Sequence, residues 1–157
     1  MNYNKVSLVE FYSELKLLFN NSKFNYTISS EKFLSSGNLI SIIKECYPDV
    51  LINDLDYWLE WEEGNIEVSP QQFMESIFPI ISDINDTPVI LLFDDCFTCG
   101  FVFSLKLSYL FGFYESFLFA EPFCTLFQPF DHIFYFPAER RLLVVHHEGK
   151  FVDFSWP

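Results

Sequence analysis

The chain has 157 residues, half of them apolar and a fifth aromatic, with 21 Phe, so it can bury one hydrophobic core and is not a disordered acidic tail. Its formal charge of −13 argues against nucleic acid and anionic membrane surfaces as partners. Apolar runs such as Val89–Phe93 and Leu142–Val145 are too short to span a bilayer, and the N-terminal residues lack a cleavable apolar stretch, so a cytoplasmic protein is expected.

In chain order, Ser7-Leu8-Val9-Glu10 reads as a capping box with Ser7 as N-cap and Glu10 reaching back, and Leu8, Phe11, Leu15, Leu18 and Phe19 follow at helical spacing. Residues 20–38 are polar and read as loop. Leu39, Ile42, Ile43 and Cys46 mark a second helix that should stop before Pro48, because proline disfavours helix in the residue before it. Residues 51–68 fit two templates. As a strand, Leu55, Tyr57, Leu59 and Trp61 face one side and Asp54, Asp56, Trp58, Glu60 and Glu62 the other; as a helix, Leu51, Leu55, Trp58 and Leu59 share a stripe. The turn residues Glu63-Gly64-Asn65 favour a hairpin. Ser69-Pro70-Gln71-Gln72 starts a third helix, with Phe73, Met74, Ile77 and Phe78 on its buried face and Pro79 kinking or ending it.

From residue 87 the pattern turns to β. Thr87-Pro88 opens a central strand, Val89–Phe93, and Phe103, Leu105, Leu107, Tyr109 and Phe111 alternate with polar residues as in a half-buried strand. Ile133–Phe136, a Pro137–Arg140 turn, Arg141–His146, a Glu148-Gly149 turn and Phe151–Trp156 form a closing meander. With no repeat or linker, residues 1–157 are expected to form a single α+β domain: N-terminal helices packed on a mostly antiparallel sheet with a C-terminal β-meander.

Catalytic and metal-binding signals are sparse. Cys96-Phe97-Thr98-Cys99 is half a zinc motif, and Cys46, Cys124, His132, His146 and His147 supply no matching pair. Two buried, reduced thiols near a strand end are the simpler expectation, since Asp94-Asp95 beside them would disfavour thiolate. Adjacent His146 and His147 on a strand point to opposite faces and cannot easily share a ligand. Asp94 and Asp95 follow an apolar strand, where carboxylates can serve catalysis, but no phosphate loop or nucleophile motif accompanies them. No cofactor or metal is expected, and no catalysis. The competing reading is a small enzyme or ligand-binding protein using a Phe-lined pocket with Asp94 and Asp95.

The charge, however, is localised. Residues 45–105 hold 13 Asp and Glu and no Lys or Arg, which accounts for the whole net charge. Within this window Tyr57, Trp58 and Trp61 lie among Asp54, Asp56, Glu60, Glu62 and Glu63, the composition of an aromatic hot spot ringed by carboxylates. The expected partner-binding residues are therefore Asp54, Asp56, Trp58, Glu60, Glu62 and Glu63, with Asp94 and Asp95 at the strand end.

The C-terminal run from Asp131-His132-Ile133-Phe134 through Pro137-Ala138-Glu139-Arg140, followed by Leu143-Val144-Val145-His146-His147-Glu148-Gly149, resembles the paired closing strands of immunity proteins from bacterial polymorphic and contact-dependent toxin systems. The similarity covers about the last quarter of the chain and transfers no individual functional residue. It implies a small, acidic, single-domain cytosolic protein that binds and neutralises a cognate toxin domain, often a nuclease. Nucleases present basic clefts, which carboxylates can fill in place of phosphates. A DNA-mimic inhibitor would present the same carboxylates to a different basic groove.

Overall fold

A computed structural model describes residues 2–19, 36–55, 70–93, 95–118, 131–146 and 148–156. Seven strands make its spine: β1 (Tyr3–Ser7), β2 (Asn53–Asp54), β3 (Pro88–Phe93), β4 (Phe101–Lys106), β5 (His132–Phe136), β6 (Arg141–Val145) and β7 (Lys150–Ser155). They line up as β1-β4-β3-β5-β6-β7-β2, and every neighbouring pair is antiparallel. Helices are α1 (Leu8–Leu18), α2 (Ser36–Cys46), α3 (Pro70–Ile81) and α4 (Asp95–Cys99). A further helical segment runs over residues 107–118, with a 3-10 turn, then α5 (Leu110–Phe113), then a π turn.

Side chains alternate across a pleated sheet, so register sorts the core into two layers. Ile90, Ile133, Tyr135, Leu142, Val144, Val152 and Phe154 share one face. There Phe11 of α1 meets the Tyr135 ring at 6.1 Å, Phe19 packs edge-on to Trp156 at 4.9 Å, and Tyr47, just after α2, meets Phe154 at 4.5 Å. Leu91, Phe93, Phe103, His132, Phe134 and Phe136 share the other face. Phe73 of α3 stacks on His132 at 4.6 Å, and Phe113 of α5 meets Phe103 at 5.1 Å. The α+β domain is thus a sheet covered on both faces, which explains how β3, β5 and β6 are apolar almost throughout. Each aromatic pair adds roughly 0.5–1.5 kcal/mol beyond its buried area.

The C-terminal meander is present as expected. His146 N–H donates to the Lys150 carbonyl at 2.7 Å and Gly149 N–H to the His146 carbonyl at 2.9 Å. Gly149 at φ 78° takes the left-handed position this short hairpin loop requires. In the β5–β6 turn the corresponding left-handed residue is Arg140, at φ 48°. Both the second helix, ending at Cys46 before Pro48, and the apolar strand from Pro88 also match the sequence reading.

Four expectations change. Ser7 makes no side-chain cap bond to α1, because it is the last residue of β1, paired with Phe101. The Leu8 N–H donates instead to the Gly100 carbonyl at 3.1 Å, so a neighbouring loop replaces the local cap. The strand β1 itself was not expected. Its Tyr-Asn-Lys-Val-Ser sequence lacks apolar alternation, and it is an edge strand whose Lys5 ammonium sits 4.3 Å over the Phe101 ring.

The predicted strand through Phe111 stops at Lys106. β4 has run out of partners there, since its last pairs are Leu105 with Tyr3 and Lys106 with Pro88. The chain then coils, with Leu107 N–H on the Thr87 carbonyl at 3.1 Å and Ser108 N–H on the Asp86 carboxylate at 2.8 Å. Finally, of the two outcomes expected at Pro79, an end to the helix is overturned: α3 continues two residues past it to Ile81. Of the hairpin expected from residues 51–68, residues 51–55 are described and hold β2, which pairs with β7. Residues 56–69 lie outside the described residues, as do residues 20–35 of the expected loop 20–38, whose last three residues belong to α2.

Candidate functional site

Of the residues expected to bind a partner, Asp56, Trp58, Glu60, Glu62, Glu63 and Asp94 lie outside the described residues, and only the backbone of Asp95 is described. Asp54 is exposed on the two-residue edge strand β2. It stands directly opposite Lys150 of β7, so a window with no basic residue of its own meets a compensating charge across the sheet. Register relates the two ends of the expected surface. Phe93, His132, Val145, Phe151 and Asn53 form one row across β3, β5, β6, β7 and β2. Asp54 and the start of α4 at Asp95 therefore lie at the same end of the sheet, four strand spacings or about 19 Å apart. They border a common end but are not neighbours.

The remaining described carboxylates of the window are distributed. Glu45 and Asp49 flank the end of α2, Glu75 is on α3, and Asp83 and Asp86 sit in the turn leading to β3; all five are exposed. Two nearby cations are committed internally. Arg141 forks onto Asp153 with Nε and Nη2 both at 2.8 Å, reaches Asp83 through Nη1 at 2.7 Å, and donates from Nη2 to the Ile80 carbonyl at 2.6 Å. This clamps the C-terminal end of α3, where a cation also meets the negative end of the helix dipole, onto the β6–β7 pair. Its hydrogen bond to Asp83 is the main cause that holds the Asp83 carboxyl below the usual range. Lys44 donates to the carbonyls of Pro48 at 2.6 Å and Val50 at 2.5 Å, closing the chain after α2.

Among the described residues, the cysteines and histidines form no common centre. Cys96 is buried and Cys99 exposed, so the expected pair of buried thiols is half right: three residues apart on the five-residue α4, they occupy different environments. Cys124 and His147 lie outside the described residues. The His146 ring accepts the Glu148 N–H at 3.2 Å and lies over Gly37 of α2, where an added Cβ would stand 3.6 Å from Nε2. Among the described residues, no group of three or more His, Cys, Asp or Glu is placed to hold a metal, and no helix is long and apolar enough to cross a membrane.

One polar pair was not singled out in the sequence. His132 is fully buried, and its Nδ1 shares a 2.8 Å hydrogen bond with the hydroxyl of Tyr114, itself buried in the π turn. Burial drives the imidazole pKa down to about 3, against a smaller opposing pull from Asp131. The ring is thus neutral at physiological pH and belongs to the aromatic layer with Phe73 and Phe134, whose centroids lie at 4.6 and 6.1 Å. Nothing in the local sequence separates it from a surface histidine, because its burial comes from α3 and the 107–118 segment. A second carboxylate contact works similarly: Tyr135 donates its hydroxyl to Glu14 at 3.1 Å, and desolvation together with the Glu14 charge raises the phenol pKa. Compared with protein-family models, curated proteins and solved structures, the chain matches none of them.

Proposed function

We propose that this chain is a non-catalytic immunity protein, which binds a cognate basic toxin domain, typically a nuclease, and neutralises it. The observation that carries the reading is the charge: 13 carboxylates and no basic residue between positions 45 and 105. The fold adds support in part: Lys44 and Arg141 are tied to internal acceptors, while Lys106 and Lys150, which faces Asp54, stay exposed. Glu45, Asp49, Asp54, Glu75 and Asp86 meanwhile face solvent. A field of one sign accelerates encounter with a basic surface, up to on the order of 10⁸–10⁹ M⁻¹s⁻¹ at low salt, which suits an inhibitor that must act before its target does. Carboxylates set against a nuclease's cleft occupy the places of substrate phosphates.

The test is whether a gene beside this one encodes a basic toxin-type domain, and whether that domain co-purifies with this chain and is inhibited by it. The triple variant Asp54→Ala, Glu60→Ala, Glu62→Ala should slow association about tenfold or more at low salt and flatten its salt dependence. An unchanged on-rate at low ionic strength removes the acidic face from the mechanism. Failure of the pair to associate at all removes the immunity reading.

A further inference from the structure

Helix α3 and the 107–118 segment, which together cover the second face of the sheet, meet along an aromatic seam where the Phe78 and Phe111 ring centroids are 6.5 Å apart. Phe78 in this seam is 40% exposed, and Tyr109, two residues before Phe111, is 45% exposed. Along the segment Ser108, Tyr109, Gly112, Glu115 and Ser116 are exposed and Phe111 is half-buried. A Cβ at Gly112 would meet nothing within 4 Å. Beside it opens a cleft of about 470 Å³ lined by Asn2, Ser108, Tyr109, Gly112 and Ser116. It lies at the Pro88–Lys106 end of the sheet, opposite the Asp54 end.

We propose that this cleft receives an arginine side chain from a basic partner protein. Its lining matches a guanidinium: hydroxyl and amide oxygens of Ser108, Ser116 and Asn2 can accept N–H bonds, and the Tyr109 ring offers a π face. The surrounding field is negative. Glu75 lies one turn before Phe78 on α3, Glu115 one turn after Phe111, and Asp86 is bonded to the Ser108 N–H at 2.8 Å. Lys106 is the nearby cation and its charge acts on Asp86, so the negative sign here rests on Glu75 and Glu115. Exposed aromatic residues beside a small cleft are the usual form of a binding hot spot. A second copy of the chain is a poor occupant, since it would bring another −13 of charge, although its Arg140 is exposed. The site shares with the proposed function the premise of a basic protein partner, but uses none of the residues from 54 to 63.

The test is a titration of ¹⁵N-labelled full-length chain with a blocked heptapeptide carrying two arginines in a Gly-Ser background, against the same peptide with citrulline in place of arginine. Citrulline keeps the shape and loses the charge. The expected result is saturable shifts at the amides of Ser108, Tyr109 and Gly112 with the arginine peptide, at a Kd of about 1 mM or below, and at least about tenfold weaker binding of the citrulline peptide. In Gly112→Leu the added Cβ meets nothing within 4 Å, and the side chain should fill the cleft and abolish those shifts while leaving the rest of the spectrum in place. Tyr109→Ser is the second variant, should Gly112→Leu perturb the fold, and should weaken binding several-fold. Shifts confined to the Asp54–Lys150 end would overturn the cleft and leave the basic-partner premise standing. No shifts with either peptide at low salt would overturn both. Equal binding of the two peptides, loss of the cleft shifts through concentration-dependent dimerisation, or indifference to both variants would also reject the arginine site.

Discussion

Lowering the pH from 7 to 5 should destabilise this protein through one residue, His132. The ring is fully buried and its pKa is held near 3, against an ordinary 6.5, chiefly by loss of hydration. Below pH 6.5 the unfolded chain takes up a proton at this site that the folded chain refuses until about pH 3. Stability from this group is therefore complete above pH 6.5 and is lost as pH falls towards 3, at about 1.4 kcal/mol per pH unit. At pH 5 the loss is about 2 kcal/mol, a substantial part of a typical domain's 5–15 kcal/mol. The Asp83 carboxyl, lowered by Arg141, acts in the same direction but only below its ordinary range near 3.8, so the interval from 6.5 to 5 isolates the histidine. Urea unfolding at pH 7.5, 6 and 5 measures the effect. His132→Gln does not titrate and offers Tyr114 an amide, though it gives up the stack on Phe73. It should lower stability by roughly 1–3 kcal/mol at pH 7.5 and flatten the pH dependence above 5. A wild-type protein equally stable at pH 7.5 and 5, or a variant that keeps the wild-type slope, would refute the reasoning.

Arg141→Lys keeps the charge but not the fork onto Asp153, and should cost roughly 1.5–3 kcal/mol in urea unfolding, whereas Asp83→Asn at the open end of the cluster should change the midpoint little. Arg140→Gly should be neutral to about 1 kcal/mol stabilising, measured as a rise in Tm, because relief of a left-handed φ of 48° slightly exceeds the added freedom of glycine in the unfolded chain. In native protein a thiol reagent should modify exposed Cys99 rapidly, and Cys99→Ser should remove that phase, while buried Cys96 should react only on unfolding. Rapid modification of Cys96 in the folded protein would contradict its place in the core.

The strongly periodic parts of the fold were legible in the sequence. Phe11 and Leu15 of α1 and Phe19 just after it form a buried stripe, and the meander from residue 132 to 155 follows its apolar runs and its turns. What misled was local pattern without knowledge of neighbours. Ser7 and Glu10 have the spacing of a capping box, but Ser7 is spoken for by the β1–β4 ladder and Gly100 supplies the acceptor. Leu107, Tyr109 and Phe111 alternate like a strand, yet no strand remains to pair with them beyond Lys106. Of the expected partner surface, Asp54 is placed on a sheet edge, and its facing charge, Lys150, is almost a hundred residues away in sequence.

By itself the sequence determined the α+β class, the antiparallel closing strands and the sign and position of the charge, because composition and short-range periodicity are properties of the chain alone. Only the tertiary structure decided which groups those charges meet. It spent Arg141 on Asp83 and Asp153, sealed His132 against Phe73 as a neutral ring, and left Ser108, Tyr109 and Gly112 open around a cleft. Burial and pairing depend on which distant segments share a face of the sheet, and that is set by register across the ladder rather than by any window of residues.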